Sequence, residues 1–331
     1  MFVMGMRPWR RALPRGDGCP HFYVFGRLRP AYALERRSVP RGWGEGVRWQ
    51  DRLGLGYDPA GLRQGTPAMH FIRAGGHRLE YRWVEPGRRD RGADGAPALV
   101  FLHEGLGCAA LWKSFPVAVV EATGCPALVY SRYGYGGSEP LAEPRAVDYM
   151  HREALQTLPE LLESLSVRAP VLIGHSDGAS IALIYAGSGQ SPVRGLVAMA
   201  PHVFVEEIGV ASIAQAKVAF ETTDLRSRLA RYHDDVDSAF RGWNDIWLHP
   251  DFRRWNIEAY LPAIACPMLL IQGEDDQYGT MAQVEAIERR AAGPVETLRL
   301  PGCRHSPHVD RSDETLKAIA RFVTSVNPAA G

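Results

Sequence analysis

The stretch Gly174-His175-Ser176-Asp177-Gly178 sets a serine between two glycines. A serine hydroxyl attacks a carbonyl carbon near neutral pH only when a neighbouring base takes its proton. An imidazole does this best when a carboxylate fixes its tautomer and stabilises the imidazolium. Both partners occur further along the chain, as the acid pair Asp275-Asp276 and as His305. The order Ser, Asp, His is therefore one that acyl transfer could use. The bland alternative is a glycine-rich turn that carries a surface serine.

The flanks decide between the two. Ahead of the serine, "PVLIG" is a short aliphatic run that fits a strand buried on both faces. Behind it, "ASIALIYA" is apolar all round and fits a buried helix. Ser176 is then expected on a sharp strand-to-helix turn with its hydroxyl exposed. Gly174 and Gly178 would leave the room that such a turn needs.

The elements that must position these residues begin at Met69. "MHFIRA" and "HRLEYRWVE" read as a hairpin joined at Gly75-Gly76. "PALVFLHEG", "CPALVYSRYG", "APVLIG", "VRGLVAMAPH", "CPMLLIQGEDD" and "ETLRLPGCRH" read as strands. "YMHREALQTLPELLESLSV" is an amphipathic helix with Leu155, Leu158, Leu161, Leu162 and Leu165 on one side. "AQVEAIERRAA" and "DETLKAIARFV" are further helices. Alternation of this kind predicts an α/β chain with a doubly wound, mainly parallel sheet. Ligands collect at the carboxyl ends of such strands. His103-Glu104-Gly105, Ser131-Arg132, Ser176-Asp177, Pro201-His202, Asp275-Asp276 and His305 all fall there.

Residues 203–260 break the alternation after the sixth strand. The stretch is helical and aromatic, with Phe204, Phe220, Tyr232, Phe240, Trp243, Trp247, Phe252 and Trp255. An insertion of this length in an α/β domain is usually functional, so a helical cap, or lid, is expected. The competing reading is that these aromatics pack the insertion's own core. The expected organisation is a core of residues 69–202 and 261–326, the cap at 203–260 and a tail at 327–331.

Net charge is +1, but it is unevenly spread. Residues 1–68 hold 12 Arg, no Lys and 5 acids, whereas the remainder carries an acidic excess. Pro, Gly and Arg punctuate the first part without a sustained period, so a poorly ordered basic extension is expected. Met69 is a candidate internal start. Nucleic-acid binding is not expected, because the basic stretch does not continue into the acidic remainder. The five cysteines are odd in number and lack a C-x-x-C, which fits reduced thiols in cytoplasm better than a disulfide framework or a zinc site. No apolar run is long enough for a membrane span.

From about Met69 to Phe322 the chain resembles the cap-bearing branch of the α/β-hydrolase family. "GHSDG" is similar to the family's nucleophile elbow, and "LHEGLG" stands where the family has a His-Gly oxyanion loop. "SRYGYGGSEP" is similar to its D-x-R-G-x-G-x-S loop. "GEDD" and "GCRHSPH" match its G-x-x-D and G-x-x-H turns. The resemblance implies an α/β-hydrolase fold with the cap after the sixth strand. It implies Ser176 as nucleophile, Asp276 rather than Asp275 as the acid and His305 rather than His308 as the base. Backbone N–H groups of Gly105 and Asp177 would form the oxyanion hole, and Leu106, His202, Trp243 and Trp247 would line the substrate pocket. Two positions depart from the pattern: Glu104 replaces the usual Gly, and Ser131 replaces the usual Asp.

Epoxide hydrolases and haloalkane dehalogenases of this fold use Asp at the elbow, so Ser176 argues against both. The implied activity is that of a serine hydrolase. It would cleave an ester, thioester or activated ketone of a small apolar or aromatic substrate through an acyl-enzyme. Hydrolysis of a carbon–carbon bond in a ring-cleavage dienoate, or ligand binding without catalysis, are the alternatives. A small molecule is the one expected partner, with no metal and no organic cofactor, and monomer and homodimer are both left open. The Asp177 carboxylate, one residue from the nucleophile, is expected to disfavour substrates with a carboxylate close to the scissile carbonyl or to favour a cationic or hydrogen-donating group there.

Overall fold

The computed structural model describes residues 69–87 and 97–327. The basic extension expected at 1–68 and residues 328–331 of the expected tail lie outside the described residues.

Gly75 and Gly76 both take positive φ, 60° and 81°, which glycine adopts freely. They close a hairpin between β1 (His70–Ala74) and β2 (His77–Val84), with Ala74 opposite His77. There follow β3 (Leu99–Leu102), α1 (Phe115–Thr123), β4 (Ala127–Tyr130) and α2 (Tyr149–Arg152). Next come α3 (Leu158–Ser164), β5 (Val171–His175), α4 (Asp177–Ser188) and β6 (Gly195–Met199). Three helices then intervene: α5 (Glu207–Thr222), α6 (Leu225–Leu229) and α7 (Val236–Trp247). The chain closes with β7 (Met268–Gly273), α8 (Met281–Arg290), β8 (Val295–Leu300), α9 (Pro307–Asp310) and α10 (Ser312–Val326).

The eight strands form one sheet in the order β1-β2-β4-β3-β5-β6-β7-β8. β1, β2 and β4 pair antiparallel, and every pairing from β4 to β8 is parallel. Every residue of β3 to β7 is buried, as their unbroken apolar runs require. Successive side chains point to opposite faces. Val100, Leu102, Leu172 and Leu270 thus join a core layer with α2 to α4 and α8. Leu99, Phe101, Ile173 and Ile271 join a second layer with α1 and α10.

The helix expected over 149–167 is not uniform. Between α2 and α3 the turn Glu153–Thr157 is a π-helix. Pro159 lies in the first turn of α3, where it has no N–H to give and its ring crowds the carbonyl four residues back. A widened turn just before it is one way the chain accommodates both.

The insertion between β6 and β7 is helical, with 3₁₀ turns at Pro250–Arg254 and Glu258–Ala263. A bridge between Phe204 and Asn256 ties its two ends. Most of its aromatics pack among themselves: Phe220 stacks on Phe240 at 3.8 Å, and Phe252 sits between Trp247 and Trp255. No helix of the described residues is long and apolar enough to cross a membrane.

The topology fixes where a ligand can sit. From β3 the order runs to β4 on one side and to β5 on the other. The crevice at such a reversal, beyond the carboxyl ends, is the usual ligand site of a doubly wound sheet. Leu102 pairs with Gly174 across it, so the loop after β3 lies directly beside Ser176.

Candidate active site

Ser176 joins β5 to α4 with φ 53° and ψ −116°. A non-glycine residue in this region costs on the order of 1–3 kcal/mol and persists only where its surroundings hold it. Here the Ser176 N–H donates to the Met199 carbonyl at 2.9 Å, and the Ser176 carbonyl accepts from the Ser180 N–H at 3.0 Å. The flanking glycines have a steric cause. A Cβ on Gly178 would lie 2.0 Å from the Leu102 carbonyl oxygen, and one on Gly174 would lie 2.4 Å from that of Gly178.

Ser176 Oγ lies 2.9 Å from His305 Nε2. His305 Nδ1 lies 2.9 and 2.8 Å from the two Asp276 carboxylate oxygens. Asp276 is further held by the N–H groups of Tyr278 and Gly279 and by Gln272 Nε2. Burial acts to raise its carboxyl, but the charge and hydrogen bond of His305 and the Tyr278 N–H outweigh it and hold it below the ordinary value. Asp275 is exposed, while Asp276 is buried. The two turns explain their glycines: a Cβ on Gly273 would meet the Cys303 and Arg304 carbonyls at 2.3 Å, and Gly302 takes φ 64°.

Such a chain of carboxylate, imidazole and hydroxyl has the layout that general-base activation of a serine needs. Asp177 is the first residue of α4, where N–H groups have no partner within the helix and the helix dipole favours negative charge. Gly105 lies under the indole of Trp243, which a Cβ there would strike at 2.2 Å. His103 braces this loop: Nδ1 donates to the Glu104 carbonyl at 2.7 Å, and Nε2 accepts from the Arg132 N–H at 3.0 Å. Ser131 is also a brace, accepting from the Ala109 N–H and donating to Glu80.

The Asp177 side chain corrects an expectation. It is fully buried, accepts a 2.6 Å hydrogen bond from the Tyr149 hydroxyl and lies 3.6 Å from the Arg132 guanidinium. Tyr149 in turn accepts from the Trp247 indole N–H at 3.1 Å. Its charge is thus neutralised inside the core and does not face the cavity, so it is not a selectivity element. Asp177→Asn is expected to lower stability by about 3 kcal/mol, because it takes from the buried Arg132 the carboxylate 3.6 Å away. Urea unfolding of both proteins checks this.

A cavity with about 570 Å³ of empty space, its open mouth included, lies over Ser176 and His305. Leu106, His202, Trp243 and Trp247 all line it. So do residues not assigned to the pocket from the sequence, among them Glu104, His175, Leu111, Ile213, Leu229 and Tyr278. Leu229 and Ile213 gave no signal, since an aliphatic residue in a helix reads as core. Burial, and the proximity of His305, push the His202 imidazole down to about 4, so it faces the cavity as a neutral ring. Among the described residues no cluster of His, Cys, Asp or Glu could hold a metal ion.

A model of the alpha/beta hydrolase family matches residues 99–318. Epoxide hydrolase 3 of Xenopus tropicalis is 23% identical over 327 aligned positions, covering 87% of this chain and 86% of that protein. Serine hydrolase BPHL of Mus musculus is 25% identical over 202 positions, covering 57% of this chain and 66% of that protein. The crystal structure of proline iminopeptidase from Mycobacterium smegmatis superposes with a TM-score of 0.63 at 16% identity, covering 80% of this chain and all of that one.

Proposed function

The chain belongs to the alpha/beta hydrolase family, and from that premise we propose that it is a serine hydrolase of small, neutral, apolar or aromatic esters and thioesters. The observation that carries this reading is the continuous hydrogen-bonded line from Asp276 through His305 to Ser176. In the proposed cycle His305 Nε2 takes the Ser176 proton as Oγ attacks the carbonyl carbon. Asp276 keeps the other ring nitrogen protonated and stabilises the imidazolium. The N–H groups of Asp177 and Gly105 receive the oxyanion. His305 then protonates the leaving group, and a water activated through the same ring hydrolyses the acyl-enzyme.

The name of one relative, a serine hydrolase, supports this chemistry. Similarity to an epoxide hydrolase does not carry over at the nucleophile, because that branch uses Asp where this chain has Ser176. The cavity wall favours a neutral acyl group. Its lining includes Glu104 and no Lys or Arg, whereas a dienoate would bring a carboxylate into an apolar site without a Lys or Arg to pair it.

The helices between β6 and β7 act as a cap in this reading. Trp243 and Trp247 of α7 supply the wall that excludes water.

Burst kinetics separate the alternatives. With p-nitrophenyl butyrate the expected result is a rapid release of one equivalent of nitrophenol, followed by steady turnover. Cleavage of a ring-cleavage dienoate with no ester burst would transfer the assignment to carbon–carbon hydrolysis. Silence with both would leave a binding protein.

A further inference from the structure

Glu104 stands where the resemblance places glycine, and its carboxyl is unused in the cycle above. Its side chain is 26% exposed and lines the cavity. The carboxyl folds back over Gly107: a Cβ at that glycine would lie 2.4 Å from Glu104 Oε2. It thereby reaches His175, whose Nδ1 is 3.5 Å from Oε2, beyond a good hydrogen bond and within ion-pair range.

The other face of His175 fixes the proton count. His175 Nε2 lies 2.7 Å from the backbone carbonyl of His305. A carbonyl only accepts, so Nε2 must carry a hydrogen. If the ring were neutral, Nδ1 would then be a bare lone pair facing a carboxylate in a site where His175 is 1% exposed. A carboxylate and a buried lone pair pointed at each other repel, and Nδ1 has no other hydrogen-bond partner. One more proton is needed between them.

We propose that Glu104 and His175 share that proton as a second carboxyl–imidazole pair, which holds the backbone of His305 and makes Glu104 a positioning residue for the base. The inference rests on the reading of His305 as that base. It links three loops in series: the turn after β3, the end of β5 and the turn after β8. It also explains three sequence positions together, since Glu at 104 needs His at 175 as partner and Gly at 107 for room.

Burial drives the histidine and cysteine side chains packed around the pair toward their neutral forms. Burial and the Arg132 charge hold the His103 imidazole well below its ordinary value. Burial and His175 push His308 down to about 3, burial lowers His233, and burial raises the Cys108 thiol to about 12. The Lys113 charge acts on His308, and His305 turns its ring to Asp276 and Ser176. Burial works to raise the Glu104 carboxyl, but the bond and charge of His175, with His103 and His308, outweigh it and keep it well below the ordinary carboxylate range. In the proposed pair the shared proton sits on His175 Nδ1, facing the Glu104 carboxylate. Its loss at high pH would set carboxylate against lone pair and loosen the His305 backbone.

The test uses the full chain labelled with ¹⁵N in its histidine rings, together with p-nitrophenyl butyrate kinetics. At neutral pH the wild-type His175 should show both ring nitrogens protonated, and Glu104→Ala should leave only Nε2 protonated. Glu104→Ala should lower kcat by roughly 10- to 100-fold, with KM changed far less, as expected for a misplaced base. Glu104→Gln, whose amide can donate to a bare Nδ1, should recover most of that loss and remove the alkaline fall of kcat. Gly107→Ala, which displaces the carboxyl without removing it, should resemble Glu104→Ala. An unchanged His175 spectrum in Glu104→Ala, or wild-type kcat and pH profile in that variant, overturns the proposal. So does a Glu104→Gln variant as impaired as Glu104→Ala. The spectra read the pair even if no ester is turned over, so its failure is distinguishable from failure of the hydrolase reading.

Discussion

Replacing Ser176 with Ala is expected to lower kcat/KM for p-nitrophenyl butyrate by about 10⁴- to 10⁶-fold, to the level that oxyanion donors and binding alone sustain. The substitution removes only Oγ, whose partner is His305 Nε2 at 2.9 Å. The backbone bonds that hold the turn, to Met199 and from Ser180, use atoms that Ala keeps. The unfolding midpoint should therefore stay close to that of the wild type, which separates lost chemistry from lost structure. Stopped-flow ester hydrolysis with circular dichroism reads both. A variant that keeps more than roughly a hundredth of the rate would show that Ser176 is not the attacking group.

Asp276→Asn should cost about 10⁴-fold in kcat, for a reason visible in its contacts. Asp276 Oδ1 accepts from the N–H groups of Tyr278 and Gly279, so the amide oxygen of Asn must take that place. The NH₂ then occupies the Oδ2 position, 2.8 Å from His305 Nδ1. A donor there forces the ring proton onto Nε2, where it faces Ser176 and cannot accept from it. Asp275→Asn, at an exposed position beside it, should leave the rate nearly unchanged. The pH dependence has a defined sign. The Asp276 carboxyl is held below its ordinary value, so it favours the folded state wherever the unfolded carboxyl is ionised. That contribution is lost only as pH falls through the lowered folded value, below the ordinary Asp value of about 4. In Asp276→Asn the stability difference from the wild type should shrink over that acid range, as urea unfolding would measure.

The elements to which the proposed chemistry is assigned were the most legible in the sequence. An aliphatic run, a glycine-flanked serine and an apolar helix impose the turn at Ser176 locally, because Cβ atoms at 174 and 178 would collide with backbone. The turns that carry Asp276 and His305 were legible for the same reason, each opening on a glycine that a close approach or a positive φ requires. Residues whose roles depend on distant partners were not. The Asp177 carboxylate was expected to face substrate, yet Tyr149 and Arg132 draw it into the core, and neither is adjacent in sequence. The pairing of Glu104 with His175 spans 71 positions and follows from the parallel register of β3 on β5. Helix α1 gave no periodic signal, since Phe115–Thr123 is apolar along most of its length. The aromatics of the insertion split between the two roles considered for them. Trp243 and Trp247 line the cavity, while Phe220, Phe240 and Phe252 pack the insertion itself.

The central claim is that Ser176 is a nucleophile activated by His305. Treatment with a fluorophosphonate probe, followed by peptide mass mapping, tests it most directly. One phosphonyl group should appear on the peptide containing Ser176, and none should appear after Ser176→Ala or after prior acid unfolding. An unlabelled Ser176, or a label that persists elsewhere in the Ser176→Ala variant, would contradict it.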